Sequence, residues 1–191
     1  MRARLTAAAL AGAATVAVSG CGGSSGTPAA SYVHQVCGAI SSYESQLRSQ
    51  TTGLQTSIQS AASSQNLAGV KTALSMFLGK AASETDATRS KVEQAGTPSV
   101  QNGAKVRSTL ANAFSQTGAQ FTKAQHEVQA LDTSDPTTFE TKLEGIGSQL
   151  TTFGSSIQTQ LSSQSGLGGK DLQAAAAKDS TCKALESAGT S

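Results

Sequence analysis

The chain has no tryptophan, two tyrosines, two histidines, three cysteines and three prolines in 191 residues. Each scarcity excludes something. Without tryptophan and with so little tyrosine, an aromatic platform for sugars or stacked bases is poorly supplied. Two histidines leave few general bases, and an abundant serine is no nucleophile unless a base is held beside it. There is no G-x-S-x-G elbow set between a strand and a helix, no Walker phosphate loop, no H-E-x-x-H, no strand-borne G-x-G-x-x-G and no Cys-x-x-Cys pair. Runs of Lys or Arg are missing as well, so a general electrostatic affinity for nucleic acid or anionic lipid is not indicated.

What is present begins with an address. Residues 1–20 carry Arg2 and Arg4, then an uncharged apolar run from Leu5 to Val18, then small residues ahead of Cys21. Basic, apolar and small-residue regions in that order read as an export signal. The run falls short of the roughly 20 residues a permanent transmembrane helix needs. Val18-Ser19-Gly20-Cys21 resembles the lipobox of bacterial lipoproteins, in which the cysteine is lipidated and becomes the first mature residue. An ordinary signal peptide with an incidental Cys21 is the competing reading. Arg2 and Arg4 leave with the signal, so the remaining chain carries 12 basic and 12 acidic residues and is formally neutral. Anchoring then rests on lipid alone, and the expected location is the outer face of the cytoplasmic membrane.

Residues 21–31, the lipidated Cys21 and a Gly/Ser/Thr/Pro/Ala stretch, read as a flexible tether because they offer no large apolar side chain to bury. About ten such residues reach roughly 17 Å. From residue 32 to 191 apolar residues recur at steps of three and four, a helix period. Val33, Val36, Ile40, Tyr43, Leu47, Leu54, Ile58 and Ala61 make the first stripe, with Gln50 and Ser57 as polar lapses. A second follows Asn66, through Leu67, Val70, Leu74, Phe77, Ala81, Thr88, Val92 and Ala95, and Gly96 stops it. Thr97-Pro98 predicts the start of a third helix, whose seam from Val100 and Gly103 through Leu110, Phe114, Phe121 and Val128 to Leu131 has Arg107 as its misfit.

Asp135-Pro136 repeats the cap-and-proline start, and Phe139, Leu143, Ile146, Leu150, Phe153, Ile157 and Leu161 then share one face. A Ser/Gly-rich loop over 162–169 precedes a shorter terminal helix containing Cys182 and Leu185. No segment alternates as a strand. The expected fold is therefore all-α: an antiparallel up-and-down four-helix bundle with a short C-terminal fifth helix. Leu, Ile, Val and Phe supply only 33 of 191 residues, a level associated with disorder when net charge is high. A disordered Ser/Thr-rich stalk is the competing reading, against which stand the near-zero charge and the regular placement of those residues.

Beyond Cys21, Cys37 and Cys182 form an even pair in an oxidising compartment, and an antiparallel bundle returns the chain so that the two meet. A disulfide is expected between them. The alternative is a metal site of His34, Cys37 and Cys182, which lacks a clear fourth ligand. His126 beside Glu127, and Glu140 with Glu144, read as solvated helix faces, and the five phenylalanines as core. No catalytic, cofactor-binding or metal residue is assigned, and no cofactor is expected. The order of lipobox, Tyr32-x-x-x-x-Cys37-x-Ala39, Ala95-Gly96-Thr97-Pro98-x-Val100-x-x-Gly103, Asp135-Pro136-x-x-Phe139 and Cys182 with Leu185 resembles a group of small secreted proteins and lipoproteins of actinobacteria. That resemblance implies a helical envelope protein and transfers no catalytic residue. The expected function is a non-enzymatic binding or structural module with a membrane anchor and an envelope protein as partner. A carrier of lipid or a small apolar ligand in an interhelical groove is the alternative, and an enzyme the remote one.

Overall fold

Capping chemistry sets where the helices begin and end. The computed structural model describes residues 26–163 and 169–189, and these form a helical bundle. Among the described residues lie α1 (Ala29–Ser63), α2 (Leu67–Gln94), α3 (Gly103–Gln129), α4 (Pro136–Ser163), α5 (Gly169–Ala176) and α6 (Ser180–Gly189). Asn66 opens α2 by accepting the Gly69 N–H at 2.8 Å. Gly96, at φ +81°, closes it in the left-handed conformation that a residue with a Cβ resists. Asp135 opens α4: its Oδ1 accepts from the N–H groups of Thr137 and Thr138, and its Oδ2 takes the Thr138 hydroxyl at 2.6 Å. The Thr138 hydroxyl, followed by those amides, holds the Asp135 carboxyl below the usual carboxylate range.

Three boundaries differ from expectation. Thr97-Pro98 does not start α3, which begins at Gly103 after Asn102 at φ 60°. The backbone of 97–99 is instead engaged by residues 26–28, with an isolated parallel bridge between Thr27 and Pro98. Gly103 follows a turn so tight that any Cβ there would run into the Pro98 carbonyl. Consequently the expected tether over 21–31 is ordered from residue 26, and α1 begins at Ala29 instead of Tyr32. Finally, the expected single terminal helix is two, α5 and α6, because Asp179 halts the first and caps the second with Oδ1 bonds to the N–H groups of Thr181 and Cys182.

A chain this rich in serine and threonine stays helical by turning its hydroxyls inward along the helix. Thr85 and Thr88, the buried polar residues of α2, donate to Ala81 O and Glu84 O, one turn back, at 2.7 and 2.8 Å. Such bonds satisfy a hydroxyl that would otherwise be costly to bury. Thr117, Thr141 and Thr151 do the same on α3 and α4. Thr85, absent from the predicted stripe, is fully buried because it stands four residues after Ala81 and three before Thr88, on the same face of α2.

Two apolar clusters result. One joins Tyr32, Val36 and Ala95 with Ile40, Val106, Leu110 and Leu172. The other joins Val70 and Leu78 of α2, Ala124 and Val128 of α3, Leu131 of the next turn, and Phe139 and Ile146 of α4, with Ile58 and Ala61 of α1 against it. α4 packs chiefly on α3, and α5 and α6 both pack on α1. The side chain of Leu161 lies outside the described residues. Because Phe139 is the largest α4 side chain that is fully buried, Phe139→Ala is expected to cost about 3–5 kcal/mol of stability in a denaturant titration. A midpoint left where it was would contradict its place in the core.

Candidate functional site

α1 and α6 are joined by a two-point clasp whose members repeat at one helical turn. Cys37 is disulfide-bonded to Cys182, with Cα atoms 5.3 Å apart. One turn earlier on each helix, His34 Nδ1 lies 2.8 Å from Asp179 Oδ2. An ionised carboxylate only accepts, so the imidazole N–H donates. The His34 contact, then the Cys182 and Thr181 amides, keep the Asp179 carboxyl below its ordinary range. The predicted disulfide is thus present, and it consumes both thiolates of the alternative metal set. The loop it closes spans 145 residues, and a bridge of this kind contributes about 2–5 kcal/mol.

Near the start of α1, in the cluster with Val36 and Ala95, Tyr32 is buried with no hydrogen-bond partner for its hydroxyl. Burial pushes its pKa up to about 12, with the Arg107 guanidinium pulling the other way. Arg107, the misfit of the α3 seam, turns its Nε into the protein, where it too finds no partner. Tyr43 is better served. Thr85 spends its one proton on Ala81 O, so Tyr43 donates to Thr85 Oγ1 at 3.0 Å while its ring meets Phe114 edge-on.

Grooves open along helix pairs among the described residues, one of about 240 Å³ lying between α1 and α6 and lined by Ser41, Glu44, Arg48 and Leu185. Between α1 and α2 a groove of about 320 Å³ is lined by Gln50, Leu54, Ser57, Met76, Phe77 and Lys80, among others. Gln50 and Ser57 among its polar members are the two lapses of the α1 stripe. Gln50 Oε1 is buried there without a donor, and Met76 stands 57% exposed at the edge. Between α3 and α4 a further groove, of about 310 Å³, is lined by Glu127, Leu131, Lys142, Gly145, Ile146 and Gln149.

The remaining sequence candidates scatter. His126, Glu140 and Glu144 are exposed, and Glu127 pairs with Lys123 at 3.6 Å. Cys21 and residues 164–168 lie outside the described residues. No group of three or more His, Cys, Asp or Glu side chains suited to a metal occurs among the described residues, nor is any described helix long and apolar enough to cross a membrane. No family model matches the chain, and neither a curated protein nor a solved structure does. Sequence reasoning missed the Asp179 half of the clasp. Its signal was available: Asp179 precedes Cys182 by the same three residues that separate His34 from Cys37.

The clasp carries a pH dependence with a definite sign. A carboxyl depressed on folding contributes stability above its unfolded value, near 3.9, and loses it as pH falls through the lower folded value. The protection factors of the α6 amides should therefore hold steady on acidification to about pH 5 and fall below pH 4. Asp179→Asn should raise α6 exchange at neutral pH and flatten that acid response; an unchanged profile would remove the carboxylate from this role.

Proposed function

We propose that the chain is an exported protein lipidated on Cys21, whose antiparallel up-and-down bundle works as a non-enzymatic binding or structural module on the outer face of the cytoplasmic membrane. Its partners in that setting are the bilayer, through the lipid, and another envelope protein. The observation that carries the reading is the division of labour among three cysteines. Two close a disulfide inside the folded part, as expected in an oxidising compartment, while the third ends a signal-like segment in a lipobox-like sequence. The bundle geometry is supported by contacts in opposite chain order: Thr27 meets Ala95, Tyr43 meets Thr85, and Gly69 lies by Ala61. The resemblance to small actinobacterial lipoproteins points the same way.

Metabolic labelling with a radioactive fatty acid tests the anchor. The natural protein should incorporate label and partition into detergent, and Cys21→Ala should do neither. Equal membrane association of the two proteins without label would end this reading.

A second reading, carriage of a slender apolar ligand, has one observation in its favour: the unpartnered Gln50 carbonyl in the α1–α2 groove. A ligand with a hydroxyl or amide donor would satisfy it. Under this reading native mass spectrometry finds such a molecule on the purified protein, and Gln50→Leu loses it. Under the first reading the groove carries no such molecule, and Gln50→Leu stabilises the protein by about 1–3 kcal/mol through removal of an unsatisfied buried acceptor.

A further inference from the structure

Residues 26–28 form a strap. Thr27 N–H donates to Thr97 O at 2.7 Å, Ser99 N–H donates to Thr27 O at 2.8 Å, and the Thr27 hydroxyl donates to Ala95 O at 2.8 Å. The approach is close: a Cβ on Gly26 would lie 2.7 Å from Thr97 O and 2.8 Å from Ser99 Oγ, so a larger residue would push the two segments apart. The chain is thus fastened to the α2–α3 turn immediately before α1 starts.

For a chain held by lipid on Cys21 the strap has a geometric consequence. Five residue steps separate Cys21 from Gly26, at most about 18 Å when fully extended. The whole expected tether, to residue 31, would extend to about twice that. We infer that the strap turns the α2–α3 end of the bundle onto the lipid headgroup surface and points the α1–α2 and α3–α4 turns away from it. The inference rests on the anchoring proposed above. The surface is compatible with such a neighbour. Lys91, Gln101, Asn102 and Lys105 are exposed there, Glu93 at this end is paired with Arg89, and the exposed Asp171 of α5, next to the Leu172 that packs on this end, adjoins Lys170. At the opposite end Lys71 Nζ donates to Leu131 O at 2.7 Å, tying the start of α2 to the end of α3. The length of α1, 35 residues or about 50 Å, separates the two ends.

The absence of tryptophan makes the test direct. Gln101→Trp and Ala62→Trp each place a single reporter, one on the strap end and one in the last turn of α1, both at exposed positions. The processed chain from Cys21 onward is coupled through the Cys21 thiol to a maleimide-headgroup lipid in phosphatidylethanolamine–phosphatidylglycerol vesicles containing a dansyl lipid. Because the lipid is attached chemically, the result does not depend on whether cells acylate Cys21, and the labelling experiment above judges that separately. Energy transfer from position 101 is expected to exceed that from position 62 severalfold. Adding Gly26→Val should erase most of the difference. Should that variant fail to fold, a flexible Gly/Ser segment inserted between Gly23 and Ser24 keeps the strap bonds and should lower transfer from position 101. Equal transfer from both positions, greater transfer from position 62, or a difference indifferent to both strap and tether changes would overturn the inference.

Discussion

The close approach of α2 to both α1 and α3 is the constraint on which the rest of the structure depends. A helix with neighbours on two sides needs a buried face that both can approach, and this one builds it mainly from small and β-branched side chains. Ala81, Thr85 and Val92 are wholly buried, and Thr88 and Leu78 nearly so. Small residues let helix axes come near, but each contributes less transfer free energy than a leucine would. Proximity thus has to be held by something more than apolar area.

Three devices supply it, each local and cheap in sequence. Threonine hydroxyls bonded one turn back let polar residues enter the interface without an orphaned donor. The Tyr43 hydroxyl then uses Thr85 as its acceptor, so one threonine links two helices while remaining satisfied. The disulfide and the His34–Asp179 contact fasten α6 to α1, where α6 brings little apolar surface of its own. The strap over 26–28 fastens the start of α1 to the end of α2. Fastening near the chain's beginning and near its end substitutes for the large side chains the composition withholds.

This explains what could and could not be read in advance. The all-helical class was legible because its signal is periodic over many residues, and the breaks at Gly96 and Asp135-Pro136 because each acts on its own few neighbours. The Cys37–Cys182 pair was legible by elimination once Cys21 was given to lipid. The strap was not: Thr27 carries no apolar pattern, and its pairing with residues 97–99 is a backbone contact across 70 residues of sequence. The same contact accounts for the misreading of Thr97-Pro98, whose local chemistry suits a helix start until residue 27 occupies its backbone. Thr85 was passed over although it shares the face of Ala81 and Thr88, and its hydroxyl is satisfied by Ala81 O. For the candidate site, the lapses at Gln50 and Ser57 were visible as lapses, but only the structure shows that they line a groove with residues of α2.

The position of the grooves weighs between the two functional readings. Gln50 lies 21 residues along α1 from Ala29, a rise of about 30 Å, and the α3–α4 groove sits near the α3–α4 turn, farther still from the strap. With the strap end at the bilayer, an acyl chain bound in either groove would have to leave the hydrocarbon and cross that distance through water, at about 0.8 kcal/mol for each exposed methylene. A protein partner would meet no such barrier, because it would approach through water. On the proposed anchoring, therefore, these grooves stand at the end of the bundle away from the lipid, which favours the proposed protein partner over the proposed apolar ligand.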